Sequence, residues 1–529
     1  MQSNFHFIDG AIIVVYLVIL SAIGFYFSKR QKGIEDFFLA RRSMAWFPVG
    51  LSLMAALNSG IDYIMQPSTI ALYGIIFLAG TVSWIFLYPW VAYVSLPFFR
   101  RLNLYTAYQY LERRFDVRVR GLAATIFIFW RLGWLATALY APCLAVNVAT
   151  GGQLGVLPMI IVLGSVVTLY TMLGGIKAVI WTDVIQFCIM FGGLAATVAI
   201  VICNVPGGVP EILRTAASAD KLVLFPPVPG AEHAGFLQKA LLYLRKEDLM
   251  FAIILAAIVG RMAGYTCDQV MIQRFQTTKS VKDSRQAFII NAVGDALWMF
   301  GLGFVGLALF AYFGHHPMPK GSNPDYILPY FMSTVFPAGA VGLVIAAIFA
   351  ASLSSIDSAI NSCTSVFVVD FYNRLFLKRH NATEDLSPEE QRSQVRVSRM
   401  ATVAFGIVGI ILGANIGKIG PMIKIANKVI QPLTGPLLGL FLLGMFTKRA
   451  RSEGALIGGI VGAGVSFYVA FGTDIGFIWP TVFGLVATLV IGYAVSLASG
   501  PPVKSQAGMT FKSVMKQPEV SAREEAVAD

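Results

Sequence analysis

The chain has 529 residues, 57% of them hydrophobic and only 13% charged, with a mean hydropathy of +0.71. That balance excludes a soluble enzyme and implies an all-α polytopic membrane protein. A formal charge of +12 would suit nucleic acid if it were clustered, but the basic residues recur in alternate loops, which reports topology.

In chain order, the first apolar run, Ala11 to Phe27, has no positive region before it and is followed by Lys29 and Arg30. It reads as a retained anchor with its N-terminus outside, not as a signal peptide. About thirteen stretches of crossing length are expected, at 9–28, 46–74, 76–98, 120–149, 155–173, 177–203, 247–270, 286–314, 335–370, 396–415, 421–446, 453–471 and 476–498. An odd count puts the C-terminus in the cytoplasm. The clusters Lys29/Arg30/Lys32/Arg41/Arg42, Arg100/Arg101, Arg113/Arg114/Arg118/Arg120, Arg274/Lys279/Lys282/Arg285, Arg374/Lys378/Arg379 and Lys448/Arg449/Arg451 then all fall inside, as the positive-inside rule requires. A multi-pass plasma-membrane protein is expected, bathed in the lipid bilayer, with no nucleic acid and no obligate protein partner.

The second span carries breaking residues at Asn58-Ser-Gly-Ile-Asp62 and again at Gln66-Pro-Ser68, and the seventh at Gly260 to Thr266. Interrupted helices five spans apart fit an inverted five-plus-five repeat with a binding site near the bilayer midplane. Thr106–Arg118 reads as an amphipathic helix on the cytoplasmic surface. The divisions follow: 1–45 leading helix and linker, 46–203 first repeat, 204–246 external loop, 247–446 second repeat, 447–498 two trailing helices, and 499–529 a disordered tail.

Inside the ninth span lies a polar patch, Ala351 to Ser362. At about 100° per residue, Ala351, Ser354, Ser355, Asp357, Ser358, Asn361 and Ser362 share one broad helix face, and only Ser352 breaks the division. Serines alone would serve close helix packing. A carboxylate among them is costly in a membrane unless it meets a cavity, a partner or an ion, which points to an ion site. No phosphate-binding loop occurs, so ATP is not the driving force. Five scattered cysteines and five histidines form no ligand cluster, so no cofactor is expected. Without a catalytic constellation or a filter-like glycine loop, a secondary transporter remains.

The run Gly174 to Gln186 (GGIKAVIWTDVIQ) resembles the signature of the sodium:solute symporter family. Asp268 to Arg274 (DQVMIQR) and Tyr110 to Phe115 (YLERRF) resemble further elements of it. Tyr140 to Asn147 and Pro48 to Ala55 are most similar to its monocarboxylate and vitamin branches. The resemblance covers residues 9–498. It implies the LeuT-type fold, with one leading and two trailing helices around the repeat, and Na+ as the coupling ion for uptake of a small organic solute. By motif, the principal Na+ ligands would be the carbonyls of Ala55, Asn58 and Ala351 with the hydroxyls of Ser354 and Ser355. A second Na+ would use Ser354, Asp357, Ser358 and Asp183. The family often has serine where this chain has Asp357, so a proton carrier and a structural pairing stay open beside the Na+ reading.

The same resemblance places Asp62, Gln66, Arg131, Arg261, Tyr265, Lys424 and Asn427 at the substrate pocket. Two arginines and a lysine at membrane depth suit an organic anion, a monocarboxylate or a sialic-acid-like sugar acid. The competing reading is internal neutralisation of Arg131 or Arg261 by Asp62 or Asp268. A sugar substrate is disfavoured because the family's inner-gate aromatic position falls on Gly264, beside Tyr265, and its polar sugar contact on Arg261. Trp130, Trp134 and Tyr140 read as core packing. A proton-coupled symporter and a non-transporting sensor are the remaining alternatives.

Overall fold

The computed structural model describes residues 5–28, 39–102, 104–319, 322–377, 388–500 and 508–517. Among them the backbone is helical apart from loops and one isolated bridge between Met44 and Thr278. Ten helices are long and apolar enough to cross a membrane, and three shorter apolar helices, Phe7–Leu20, Trp46–Leu57 and Val156–Met172, accompany them. Lys29, Arg30, Lys32, Lys378 and Arg379 lie outside the described residues.

Several helices start where a short polar side chain satisfies the free amides of a first turn. Asp116 caps α6 (Val117–Ala149) through the amides of Arg118 and Val119. Before them come α1 (Phe7–Ser28), α2 (Trp46–Leu57), α3 (Gly60–Tyr73), α4 (Ile75–Leu102) and α5 (Tyr108–Arg114). Helical structure then runs from Val156 to Asn204 (α7), spanning the two apolar stretches expected on either side of Gly174. The 204–246 segment holds two short helices, α8 (Gly208–Ser218) and α9 (Phe236–Arg245).

The second half comprises α10 (Met250–Cys267), α11 (Gln269–Gln276), α12 (Val281–His315), α13 (Ile327–Val335), α14 (Ala340–Val366), α15 (Pro388–Ile416) and α16 (Met422–Phe446). The trailing pair α17 (Ser452–Gly472) and α18 (Pro480–Ala498) pack on each other. Burial separates centre from periphery: 89% of the apolar window of the span containing α14 is enclosed, against 28% for α18. The polar patch therefore sits on the most interior helix, packed against α6 and α7. Asp9 of α1 accepts the amides of Gly339 and Gly342 at 2.9 and 2.6 Å, tying the leading helix to the start of α14.

The basic clusters converge at one end of the bundle. Arg100 donates to the carbonyl of Thr278, Arg114 to those of Gly444 and Thr447, and Arg120 to the carboxylates of Glu112 and Asp370. Glu112 also accepts from Arg374 at 2.7 Å. Burial opposes ionisation of Glu112, but the two arginines outweigh it and hold its carboxyl below the ordinary range.

Three expectations change. The second span breaks once: α3 continues through Pro67 without interruption. The seventh span is helical through Gly260–Thr266 and breaks instead at Asp268, whose φ of −85° and ψ of 116° are extended. The tail is not wholly disordered, because a turn of helix, α19 (Phe511–Val514), docks on the basic end. The Phe511 ring lies 6.1 Å from Phe98 and 5.7 Å from Phe446, Val514 is buried, and Tyr110 donates to the Met509 carbonyl.

Candidate functional site

The break between α2 and α3 is built by local chemistry. Asn58 and Ser59 are extended, and Ser59 caps α3 reciprocally: its hydroxyl accepts from Ile61, and Asp62 accepts the Ser59 amide at 2.7 Å. Gly60 lets this break press on α14, since a Cβ there would meet the Ser352 hydroxyl at 2.1 Å and the Ile348 carbonyl at 2.7 Å. Only glycine permits so close an approach.

The five oxygens expected for the principal Na+ gather at this contact. The Ser354 hydroxyl lies 2.8 Å from the Ala55 carbonyl and 2.9 Å from that of Ala351, while the Ser355 hydroxyl lies 3.1 Å from the Asn58 carbonyl. All five residues are essentially sealed from solvent. Among the described residues no group of three His, Cys, Asp or Glu side chains could hold a metal. The donor set is therefore hydroxyl and carbonyl, suited to a hard monovalent cation.

Asp183, Asp357 and Ser358 also come together, with a residue the sequence reading left out of the set. Arg274 donates to Asp183 at 3.0 Å, to Ser52 at 2.8 Å, and to the Ser358 hydroxyl. Asp357 accepts from Tyr170 and Ser358, both at 3.2 Å, and one oxygen of Asp183 has no partner among the described residues. Arg274 thus supplies positive charge to part of the second candidate site. Its place in the Asp-Gln-x-x-x-Gln-Arg run was the available signal.

A cavity of about 310 Å³ adjoins the first break, bordered directly by Ala56, Leu57 and Asn58. Asp62, Gln66, Arg131, Arg261, Tyr265 and Asn427 all line it. Lys424 does not: it is exposed and faces away, although its neighbours Ile423 and Asn427 line the wall. Trp130 and Trp134, read as core packing, form part of the cavity wall, with the Arg131 guanidinium 4.8 Å from the Trp130 ring centre.

Both arginines are paired within the protein. Asp268 caps α11 through the Val270 amide at 2.9 Å and makes a two-point ion pair with Arg131. Arg261 bonds Asp295 at 2.9 Å, the Gly80 carbonyl at 2.6 Å and Ser83, and lies over Trp84. Asp268 was a foreseen partner; Asp295, from the middle of α12, was not. Asp325 (in a 3-10 turn, Pro324–Tyr326) accepts the amide of Met422 at 2.8 Å and so fixes the start of the segment that carries Asn427. Burial pushes the Asp325 carboxyl up to about 6, the Met422 amide pulling the other way.

The sequence matches the profile of the sodium:solute symporter family over residues 37–462. The chain belongs to this family. It is 33% identical to a sodium/sialic acid symporter of Proteus mirabilis, covering 92% of this chain and 95% of that protein. It is 32% identical to the human sodium-coupled monocarboxylate transporter 1, over 88% of this chain and 74% of the relative. The fold matches a substrate-bound, outward-open Na+-coupled sialic acid symporter with a TM-score of 0.81 at 31% identity, covering 94% of this chain and 99% of that one. A nucleobase-cation-symport-1 family transporter in a closed conformation, covering 89% of this chain and 97% of its own, shares the fold at a TM-score of 0.55 and 14% identity.

Proposed function

We propose that this symporter-family protein couples inward movement of Na+ to uptake of a small carboxylate-bearing solute by alternating access. The observation that carries the reading is the meeting of five oxygens, from Ala55, Asn58, Ala351, Ser354 and Ser355, at a helix break that opens on a cavity containing Arg131. Na+ there would pin the C-terminal end of α2 to α14, and that pinned arrangement shapes the cavity wall at Asn58 and Asp62. Na+ and solute then favour the same closed state, which is what coupling requires. The sialic acid and monocarboxylate relatives support an acid as the solute, and Arg131 is the group to receive its carboxylate.

The architecture that goes with this reading is the LeuT-type five-plus-five repeat, 46–203 and 247–446, within about thirteen membrane helices. The breaks at Asn58–Ser59 and Asp268 occupy corresponding positions in the two halves. The N-terminus lies outside and the basic end faces the cytoplasm of a cell whose plasma membrane holds the protein. Asp357 offers a second reading. It is fully buried beside Asp183 while Arg274 is shared between Asp183 and Ser358, so a proton, instead of a second Na+, would balance the remaining carboxylate.

The test is the thermal stability of the purified protein with sugars, sialic acids and short carboxylates, each with and without Na+. Stabilisation by an acid only when Na+ is present supports the reading. Equal stabilisation in choline at low pH would favour the proton.

A further inference from the structure

The charges around the cavity do not balance. Arg131 and Arg261 are each met by an aspartate, Asp268 and Asp295. Asp62, only 6% exposed, lines the same cavity and makes no ion pair among the described residues. One of its oxygens accepts the Ser59 amide, and among the described residues the other has no hydrogen-bond partner. The wall therefore carries one uncancelled carboxylate, a costly group to keep from water.

Arg131 meanwhile uses Nε and Nη2 on Asp268 and leaves Nη1 without a partner among the described residues. The cavity thus presents one unused guanidinium donor and one unused carboxylate acceptor. With a single Na+ on the five oxygens of the helix break, the two arginines, three aspartates and the ion cancel. A neutral solute keeps that balance, whereas a plain anion leaves a buried net negative charge.

We propose that the solute is a zwitterion, a small amino acid or amino-sugar acid whose carboxylate lies on Arg131 and whose protonated amine lies on Asp62. This rests on the Na+-coupled, carboxylate-bearing reading above and narrows it. The pattern differs from simple recognition of an acid: two opposite charges on the solute are read by two opposite charges on the wall, and removing either one disturbs a neutral complex.

The experiment uses the full chain, purified and titrated in saturating Na+ with matched pairs. These are alanine and lactate, leucine and its α-hydroxy analogue, γ-aminobutyrate and butyrate, and the methyl glycoside of neuraminic acid and its N-acetyl form. Thermal stabilisation gives the half-saturating concentration. In the pair that binds best, the amine-bearing member should need roughly tenfold less ligand, the scale of one charge-assisted hydrogen bond. Asp62→Asn keeps an acceptor for the Ser59 amide and should erase that preference. Asp62→Ser gives the same comparison if the amide variant does not fold.

Equal or tighter binding of the amine-free members overturns the zwitterion and leaves Na+-coupled acid transport standing. An amine preference that survives in Asp62→Asn overturns the assignment to Asp62. If no member stabilises the protein in Na+, both the zwitterion and the carboxylate-bearing reading fail together.

Discussion

Replacing Ser355 with alanine isolates one ligand of the proposed Na+ site. In the ion-free protein the Ser355 hydroxyl donates to the Asn58 carbonyl at 3.1 Å, a bond whose loss costs about 1 kcal/mol. With Na+ in place the same hydroxyl turns its lone pairs to a full charge, and an interaction of that kind is worth about 1.5–3 kcal/mol. Both states lose something, so the effect on Na+ affinity is the difference, about 0.5–2 kcal/mol. The half-saturating Na+ concentration should therefore rise roughly 2- to 30-fold. The assay is a Na+ titration of melting temperature at constant ionic strength, with choline as the replacement ion; ligand stabilisation grows with the ratio of concentration to Kd. Ser352→Ala is the internal control. It lies on the same helix, and its buried hydroxyl has no hydrogen-bond partner among the described residues, so its Na+ response should match the wild type. A Ser355→Ala titration that overlays the wild type, or a shift seen in Ser352→Ala instead, would refute the assignment.

Three further outcomes are expected. Lys424→Ala should leave Na+-dependent solute binding within about twofold, because Lys424 faces away from the cavity; a large loss would show that it reaches the solute. The buried Asp325 carboxyl, raised to about 6 from an ordinary 3.8, favours folding below the lower value, and that contribution fades as pH rises through about 6. Asp325→Asn keeps an acceptor for Met422, so melting curves between pH 4 and 8 should lose this slope and show a variant more stable than wild type above about pH 6. Phe511→Ala removes ring contacts with Phe98 and Phe446 and should free the docked tail; carboxypeptidase trimming past Met509 should become faster, and unchanged trimming would contradict the docking.

Periodicity made the proposed ion site readable. Ser354 and Ser355 fall on one helix face, and that face meets the break at Asn58 because Gly60 removes the Cβ that would hold the helices apart. The break at Asp268 was displaced by a misleading cue: glycines at 260 and 264 looked like breakers, but their helix continues unbroken around them. The carboxylate that caps the next helix sets the actual end. Asp295 escaped notice because its partner Arg261 sits on another helix, and no local spacing announces a pair formed only by packing. Lys424 was placed at the pocket through the family resemblance alone, and its side chain is exposed although Ile423 and Asn427 of the same segment line the cavity. The tail composition reads as disordered, while Phe511 and Val514 find an apolar patch that only the folded bundle creates.

Radioactive sodium flux into proteoliposomes is the most direct measure of the central claim. The chain should carry Na+ inward several-fold faster when a carboxylate-bearing solute is present on the same side, and the Ser354→Ala/Ser355→Ala pair should abolish that stimulation. Sodium flux that ignores every acid offered, or stimulation that persists in the double variant, would contradict the account.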